Sequence, residues 1–233
     1  MVDQKDNCPV CKGLNIGYEF RTAKQTLLRC GDCDLLFVPH FECTSVGRSV
    51  VESRVQSNEV SGSIPIEHRA GKYFSKLYAY GIKNGSRIWV TGKNIRHFVD
   101  HAKGNGFKPI EDSLDQIEDN SIDACVLLEN LGESCYPLEQ LLSVREALKP
   151  GAILLISVPT LDSDEAREQK SGWVQFVAGR LTYFDRHGLA ALLVRAGFGQ
   201  ITLYSEAKGV IALSRKEARE YVRPLLSIVL PVT

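Results

Sequence analysis

Two apolar runs, Asp123–Leu128 (DACVLL) and Ala152–Val158 (AILLISV), are continuous rather than alternating. Such runs predict short strands buried on both faces of a sheet. Between them, Leu138, Leu141, Leu142 and Leu148 recur at helical spacing, with Glu139, Arg145 and Glu146 left for solvent. Pro137 can open that helix, because the N–H it lacks has no intrahelical acceptor there. Lys149, Pro150 and Gly151 stop it. Strand, helix and strand with one short stop predict a βαβ unit in a parallel sheet.

The same reading extends in both directions. Arg87–Thr91 predicts a central strand, Ile95–Lys103 a helix and Phe107–Ile110 a further strand. Asp185 is a good N-cap for a helix over His187–Ala196, which Gly197 ends. Gln200–Ser205 and Val210–Ser214, joined by a short glycine-containing turn, predict a hairpin. Upstream, His68–Asn84 carries Tyr73, Phe74, Leu77, Tyr78 and Ile82 at helical spacing, suited to packing on the sheet or covering a ligand face. Phe41–Glu67 has no sustained period, and Val50–Val55 fits a helix or a strand equally. Glu217–Leu230 is apolar on one side, with Pro224 placed to kink or start a helix.

The first forty residues follow another logic. Cys8 and Cys11, then Cys30 and Cys33, form two CxxC pairs eighteen residues apart. A tight knuckle turns both sulfurs of a pair inward, so two knuckles present four thiolates to one tetrahedral ion. Zinc prefers this soft, closed cage, which leaves no position for chemistry. A redox dithiol is the alternative, but it would sit at a helix start in a larger fold and would not come twice. Asn15–Phe20, Thr26–Arg29 and Leu35–Val38 can supply the strands of the ribbon. So small a module cannot build a sufficient core, and the metal would supply its folding energy. Cys125 reads as core; Cys43 and Cys135 have no partner in the sequence.

Composition narrows the function classes. The 233 residues hold 28 basic and 28 acidic side chains, which argues against a general electrostatic grip on nucleic acid. No apolar run approaches the roughly 20 residues of a membrane span. The N-terminal MVDQKDNC lacks the apolar segment of a signal peptide. Seven cysteines in that setting predict a reducing, cytoplasmic compartment.

The segments Ile122–Cys125 (IDAC), Leu148–Ala152 (LKPGA) and Ile156–Thr160 (ISVPT) together resemble the class I S-adenosylmethionine (SAM) dependent methyltransferases. Leu192–Phe198 (LLVRAGF) and the pair Trp173–Phe176 and Leu181–Phe184 extend the resemblance; the latter resembles a segment that caps the substrate side. Arg29–Pro39 (RCGDCDLLFVP) is similar to the zinc ribbon that precedes some bacterial members. The resemblance implies an α/β, Rossmann-like fold with a mostly parallel sheet, a C-terminal antiparallel hairpin and a small N-terminal zinc ribbon. It divides the chain into a ribbon (1–42), a linker and helical cover (43–85) and the α/β domain (86–233). It implies SAM and Zn²⁺ as cofactors. Gly92, Asp115, Gln116 and Glu129 would line the cofactor cleft, and Cys8, Cys11, Cys30 and Cys33 would hold the metal.

The chain departs from the family where SAM would sit. The glycine-rich loop of the family is matched by Arg87–Val99 (RIWVTGKNIRHFV), which keeps only Gly92. Asn94 and Arg96 stand at the other two glycine positions, and Val90 at the acidic one. Asn tolerates the left-handed region, whereas Arg96 places a long side chain where close approach is needed. Lys93–Ser121 has room for one crossover where the family has two. Glu111 and Asp112 are the nearest candidates for the carboxylate that binds the ribose, although a solvated turn also accounts for them. Gly132 and Glu133 stand where many relatives read Glu-His, and Arg180 where they carry His. His97 and His101 have metal-binding spacing but no third ligand. Two functions follow as expectations. One is methyl transfer from SAM to a small-molecule or saccharide acceptor, with no nameable base. The other is a degenerate scaffold that binds another ligand, or a protein partner through the ribbon or the C-terminal tail.

Overall fold

The computed structural model describes residues 7–22, 25–39, 66–134, 136–177 and 179–217. The linker segment Val50–Val55, Cys43, Cys135 and the tail beyond Glu217 lie outside them. Ten strands and five α-helices follow in the order β1 (Ile16–Arg21), β2 (Thr26–Cys30), β3 (Leu36–Phe37), α1 (Ile66–Ala79), β4 (Arg87–Gly92), α2 (Ile95–Gly104), β5 (Lys108–Ile110), β6 (Ile122–Leu128), α3 (Pro137–Ala147), β7 (Leu148–Pro159), α4 (Asp164–Gln169), β8 (Thr182–Tyr183), α5 (Arg186–Arg195), β9 (Phe198–Glu206) and β10 (Gly209–Lys216). The larger sheet runs β5-β4-β6-β7-β10-β9. Its first four strands are parallel, and β10 joins β7 and β9 antiparallel. This is the α/β, Rossmann-like architecture with a closing hairpin that the resemblance implies.

The continuous apolar runs are explained by burial on both faces. Ile88, Val90, Ala124, Val126, Leu128, Ile153 and Leu155 pack under α1 and α2. Their neighbours Trp89, Cys125, Leu127, Leu154 and Ile156 point the other way, into a core that includes Val144 of α3 and Leu192 of α5. Asp123 pins the start of the sheet: its carboxylate accepts the Arg87 N–H at 2.8 Å and pairs with Lys149 at 2.6 Å. On α3 the outcome differs in detail from the sequence pattern. Leu142 is exposed, while Gln140 and Val144 are buried, because the inward stripe runs through residues 137, 140, 141, 144 and 147.

Between β5 and β6, residues 111–121 contain one 3-10 turn, Leu114–Gln116, and no helix. So a single helical crossover, through α2, connects the strands of this half of the sheet, as the length of Lys93–Ser121 predicts.

The second sheet, β1-β2-β3-β8, joins the two ends of the chain. The first three strands come from the cysteine-rich ribbon. The fourth comes from the C-terminal third, with Leu36 opposite Tyr183 and Phe37 opposite Thr182. Phe20, Leu27, Leu36, Trp173, Phe176 and Tyr183 form a small core of their own between ribbon and cap. On the other side Cys8, Val10, Cys30 and Leu35 join the core that holds Leu141 and Phe184.

Gly92 has a positive φ of 120°, and a Cβ there would lie 2.0 Å from the Leu128 carbonyl oxygen. Gly92→Ala should therefore destabilise the fold by at least about 2 kcal/mol, through backbone strain and overpacking. A urea titration at neutral pH measures the shift.

Candidate functional site

In an open parallel sheet, ligands bind beyond the carboxyl ends of the strands, where crossovers diverge. In this chain β4 and β6 end side by side at Gly92 and Leu128. The Lys93 N–H donates to the Leu128 carbonyl at 2.8 Å, and the Glu129 N–H donates to the Ser157 carbonyl at 2.8 Å. Asn94 then takes the left-handed conformation (φ 55°, ψ 36°) and begins α2 with no side-chain cap. Glu129 is also left-handed, with φ 60°. This is a rare conformation for a residue that is neither glycine nor asparagine, and it turns the chain sharply at the strand end.

A pocket opens here, lined by Arg69, Ala70 and Tyr73 of α1, Lys93, Asn94 and Phe98 of the β4–α2 turn, and Leu128 and Glu129 of β6. It holds about 390 Å³ of empty space, much of it open to solvent. Charges span its mouth: Arg69 pairs with Glu129 at 3.3 Å, and Lys93 pairs with Glu133 at 2.8 Å. Tyr73 closes the inner side, its hydroxyl donating to Ser157 Oγ at 3.1 Å. Burial pushes the Tyr73 hydroxyl above its ordinary pKa, so it stays neutral.

Of the four cleft residues expected from sequence, Gly92 and Glu129 meet at the strand ends. Asp115 and Gln116 stand exposed on the 3-10 turn, outside the residues that line the pocket. Gly92 is accounted for by the approach of β6. Arg96 is exposed on α2 and does not line the pocket. Glu111 follows β5 directly and pairs with Lys103 at 2.7 Å. Tyr73 belongs to the aromatic stripe expected to cover a ligand face, whereas Arg69 and Lys93 carry no motif that marks them. The usable signal for Arg69 was its position one helical turn before Tyr73, on the face expected to cover a ligand. His101 packs its ring against Phe74 at 5.0 Å.

The four ribbon cysteines converge as the spacing requires. Their sulfurs lie within 4.8 Å of one another, with Cys8 to Cys33 and Cys11 to Cys30 both at 3.5 Å. Four sulfurs at 2.3 Å from one zinc ion would be ~3.8 Å apart, so the donor set fits that ion. The two knuckles repeat one design. Lys12 and Asp34 are both left-handed (φ 61° and 60°), and each donates its N–H to the carbonyl of the first cysteine of its pair. The N–H groups of Cys11 and Gly13 point at the Cys8 and Cys11 sulfurs. Burial pushes the Cys8 thiol up to about 11 and Cys33 still higher. Burial acts the same way on Cys11, but the Gly13 N–H and neighbouring thiols outweigh it and bring that group below its ordinary value. This is the only group of metal-ligating side chains among the described residues.

A family model described as "Methyltransferase domain" matches residues 43–203, more than half of the chain. The chain belongs to the methyltransferase family. A solved structure agrees on the fold. A SAM-dependent methyltransferase from Archaeoglobus fulgidus is similar at 10% identity with a TM-score of 0.50, over 64% of this chain and 94% of that one. Another, a possible histamine N-methyltransferase from Thermotoga maritima, has 14% identity and a TM-score of 0.43 over 65% and 98%. No curated protein sequence matches. SAM stands in the name of the Archaeoglobus fulgidus structure, and the strand-end pocket is where a nucleotide-type ligand would lie in this fold. In this chain the Arg69–Glu129 pair crosses that pocket, so a nucleoside would enter only if the pair parts. Among the described residues no helix is long and apolar enough to cross a membrane.

Burial also pushes the Tyr183 hydroxyl, at the ribbon–cap contact, up to about 12. Its folded pKa then exceeds the unfolded value of about 10. The stabilisation is complete below pH 10 and is lost as pH rises through 12. Urea midpoints across that window should fall for the wild type and fall less for Tyr183→Phe.

Proposed function

We propose that this member of the methyltransferase family acts as a zinc-stapled binding scaffold, with its cofactor cleft held closed by its own charges. The observation that carries this reading is the Arg69–Glu129 pair across the strand-end pocket. Three features support it: the single helical crossover before β6, the loss of two loop glycines, and a Gly92 whose Cβ space is filled by β6. Zinc would bind Cys8, Cys11, Cys30 and Cys33 and act in folding, because four sulfurs fill its coordination sphere. A protein partner meeting the ribbon fits the same reading.

A second reading, methyl transfer from SAM to a small-molecule or saccharide acceptor, is favoured by one specific feature. Asn94 takes the left-handed turn that the missing glycine would have taken, so the backbone path of the cofactor loop is kept. On this reading the Arg69–Glu129 pair must open before ligand enters, and Glu129, Lys93 and Asn94 would line the opened cleft.

Calorimetric titration separates the two. The scaffold reading expects no heat with SAM or S-adenosylhomocysteine at about 1 mM ligand, and micromolar binding would establish the second reading. Arg69→Ala breaks the closing pair; if binding appears only in that variant, the cleft is intact but latched. For the metal, elemental analysis of the purified protein should give about one zinc per chain. Replacing all four cysteines by serine should remove the zinc and lower the melting temperature. A variant without zinc that melts as the wild type does would overturn the structural role.

A further inference from the structure

Ribbon and cleft loop meet at one residue. The Leu181 carbonyl accepts the N–H of Val38 at 3.0 Å, and the Leu181 N–H donates to the Gly132 carbonyl at 2.8 Å. Val38 follows β3 directly, and the second knuckle sets where β3 begins: the Cys30 N–H donates to the Leu35 carbonyl at 2.9 Å, one residue before the strand. Gly132 lies in a 3-10 turn (Leu131–Glu133) between the two carboxylates of the cleft mouth, Glu129 and Glu133.

The fit at this junction is close. A Cβ on Gly132 would lie 2.9 Å from the Thr182 carbonyl oxygen and 3.1 Å from a guanidinium nitrogen of Arg180. Two departures from the family pattern, at 132 and 180, are thus one contact: the small residue admits the large one. Arg180 is only 2% exposed, donates to Gln175 Oε1 at 3.3 Å, and its Nε has no partner among the described residues. Glu129 and Glu133 are the carboxylates whose charge it feels. A buried guanidinium is costly unless opposite charge stays near, so the closed cap and the loop 129–133 hold each other in place. A second strut runs from the first knuckle, where Lys12 pairs with Glu139 in the first turn of α3 at 2.9 Å.

We propose that metal loading of the four-cysteine centre positions the Glu129–Glu133 loop through β3, β8 and Leu181, so that metal site and cleft are thermodynamically coupled. The proposal rests on the zinc reading above. Coupling is reciprocal: by whatever factor the metal favours the seated loop, the seated loop favours the metal.

Hydrogen exchange on the full chain, with bound zinc and after chelation, tests one direction. Exchange should rise about ten-fold or more at the Leu181 and Glu133 amides, while Val126 and Leu155 in the central strands keep their protection. A rise confined to residues 8–37, or an equal rise at Val126 and Leu155, overturns the proposal. Gly132→Ala tests the other direction. It wedges the turn off β8 without touching a cysteine, and should weaken zinc about five-fold or more in competition with a chromophoric chelator. Val38→Pro removes the ribbon-side donor and should do the same if the alanine variant fails to fold. Unchanged zinc affinity in a folded variant overturns the coupling alone; a chain that takes up no zinc overturns the metal reading as well.

Discussion

Burial of β4, β6 and β7 on both faces governs this molecule. The apolar side chains in the middle of these strands point into one of two cores and are not available to a ligand. Chemistry is left to the strand ends, where the backbone must turn away from the sheet. The approach of β6 to Gly92 is the tightest expression of that constraint. It sets the Lys93–Leu128 hydrogen bond, and with it the positions of Asn94 and Glu129.

The same constraint shows why fold and function separate here. The strands need only apolar residues of suitable volume, and the family pattern persists in them. The cleft needs particular backbone openings and particular charges, and there the pattern changes. An ion pair joins α1 to the end of β6 across the strand-end pocket. Membership of the family therefore rests on the core, whereas the reading of function rests on the cleft. The two give different weight to methyl transfer.

The cysteine-rich end is more than a pendant module. Its sheet is completed by β8, and its knuckles pack on the core that α3 and α5 cover. Removing the ribbon would leave Tyr183, Trp173 and Phe176 without their partners Phe20, Leu27 and Leu36. Ribbon and cap are thus a single packing unit, and the Gly132–Arg180 contact ties that unit to the cleft.

Periodicity and local chemistry determined much of this in the sequence alone. The apolar runs specified the buried strands, Asp185 specified a cap whose carboxylate accepts the Gly188 N–H at 2.6 Å, and the two CxxC pairs specified four converging sulfurs. Each of these depends on residues a few positions apart, so the signal is carried within a short window. The tertiary structure alone decided that Gly92 answers to Leu128, that Arg96 faces solvent, that Arg69 reaches Glu129, and that Leu181 joins Val38 to Gly132. These contacts join residues from 36 to 143 positions apart, as 92 to 128 and 38 to 181 illustrate. Their geometry follows from how the sheet twists and stacks, for which no local pattern of residues is a sign.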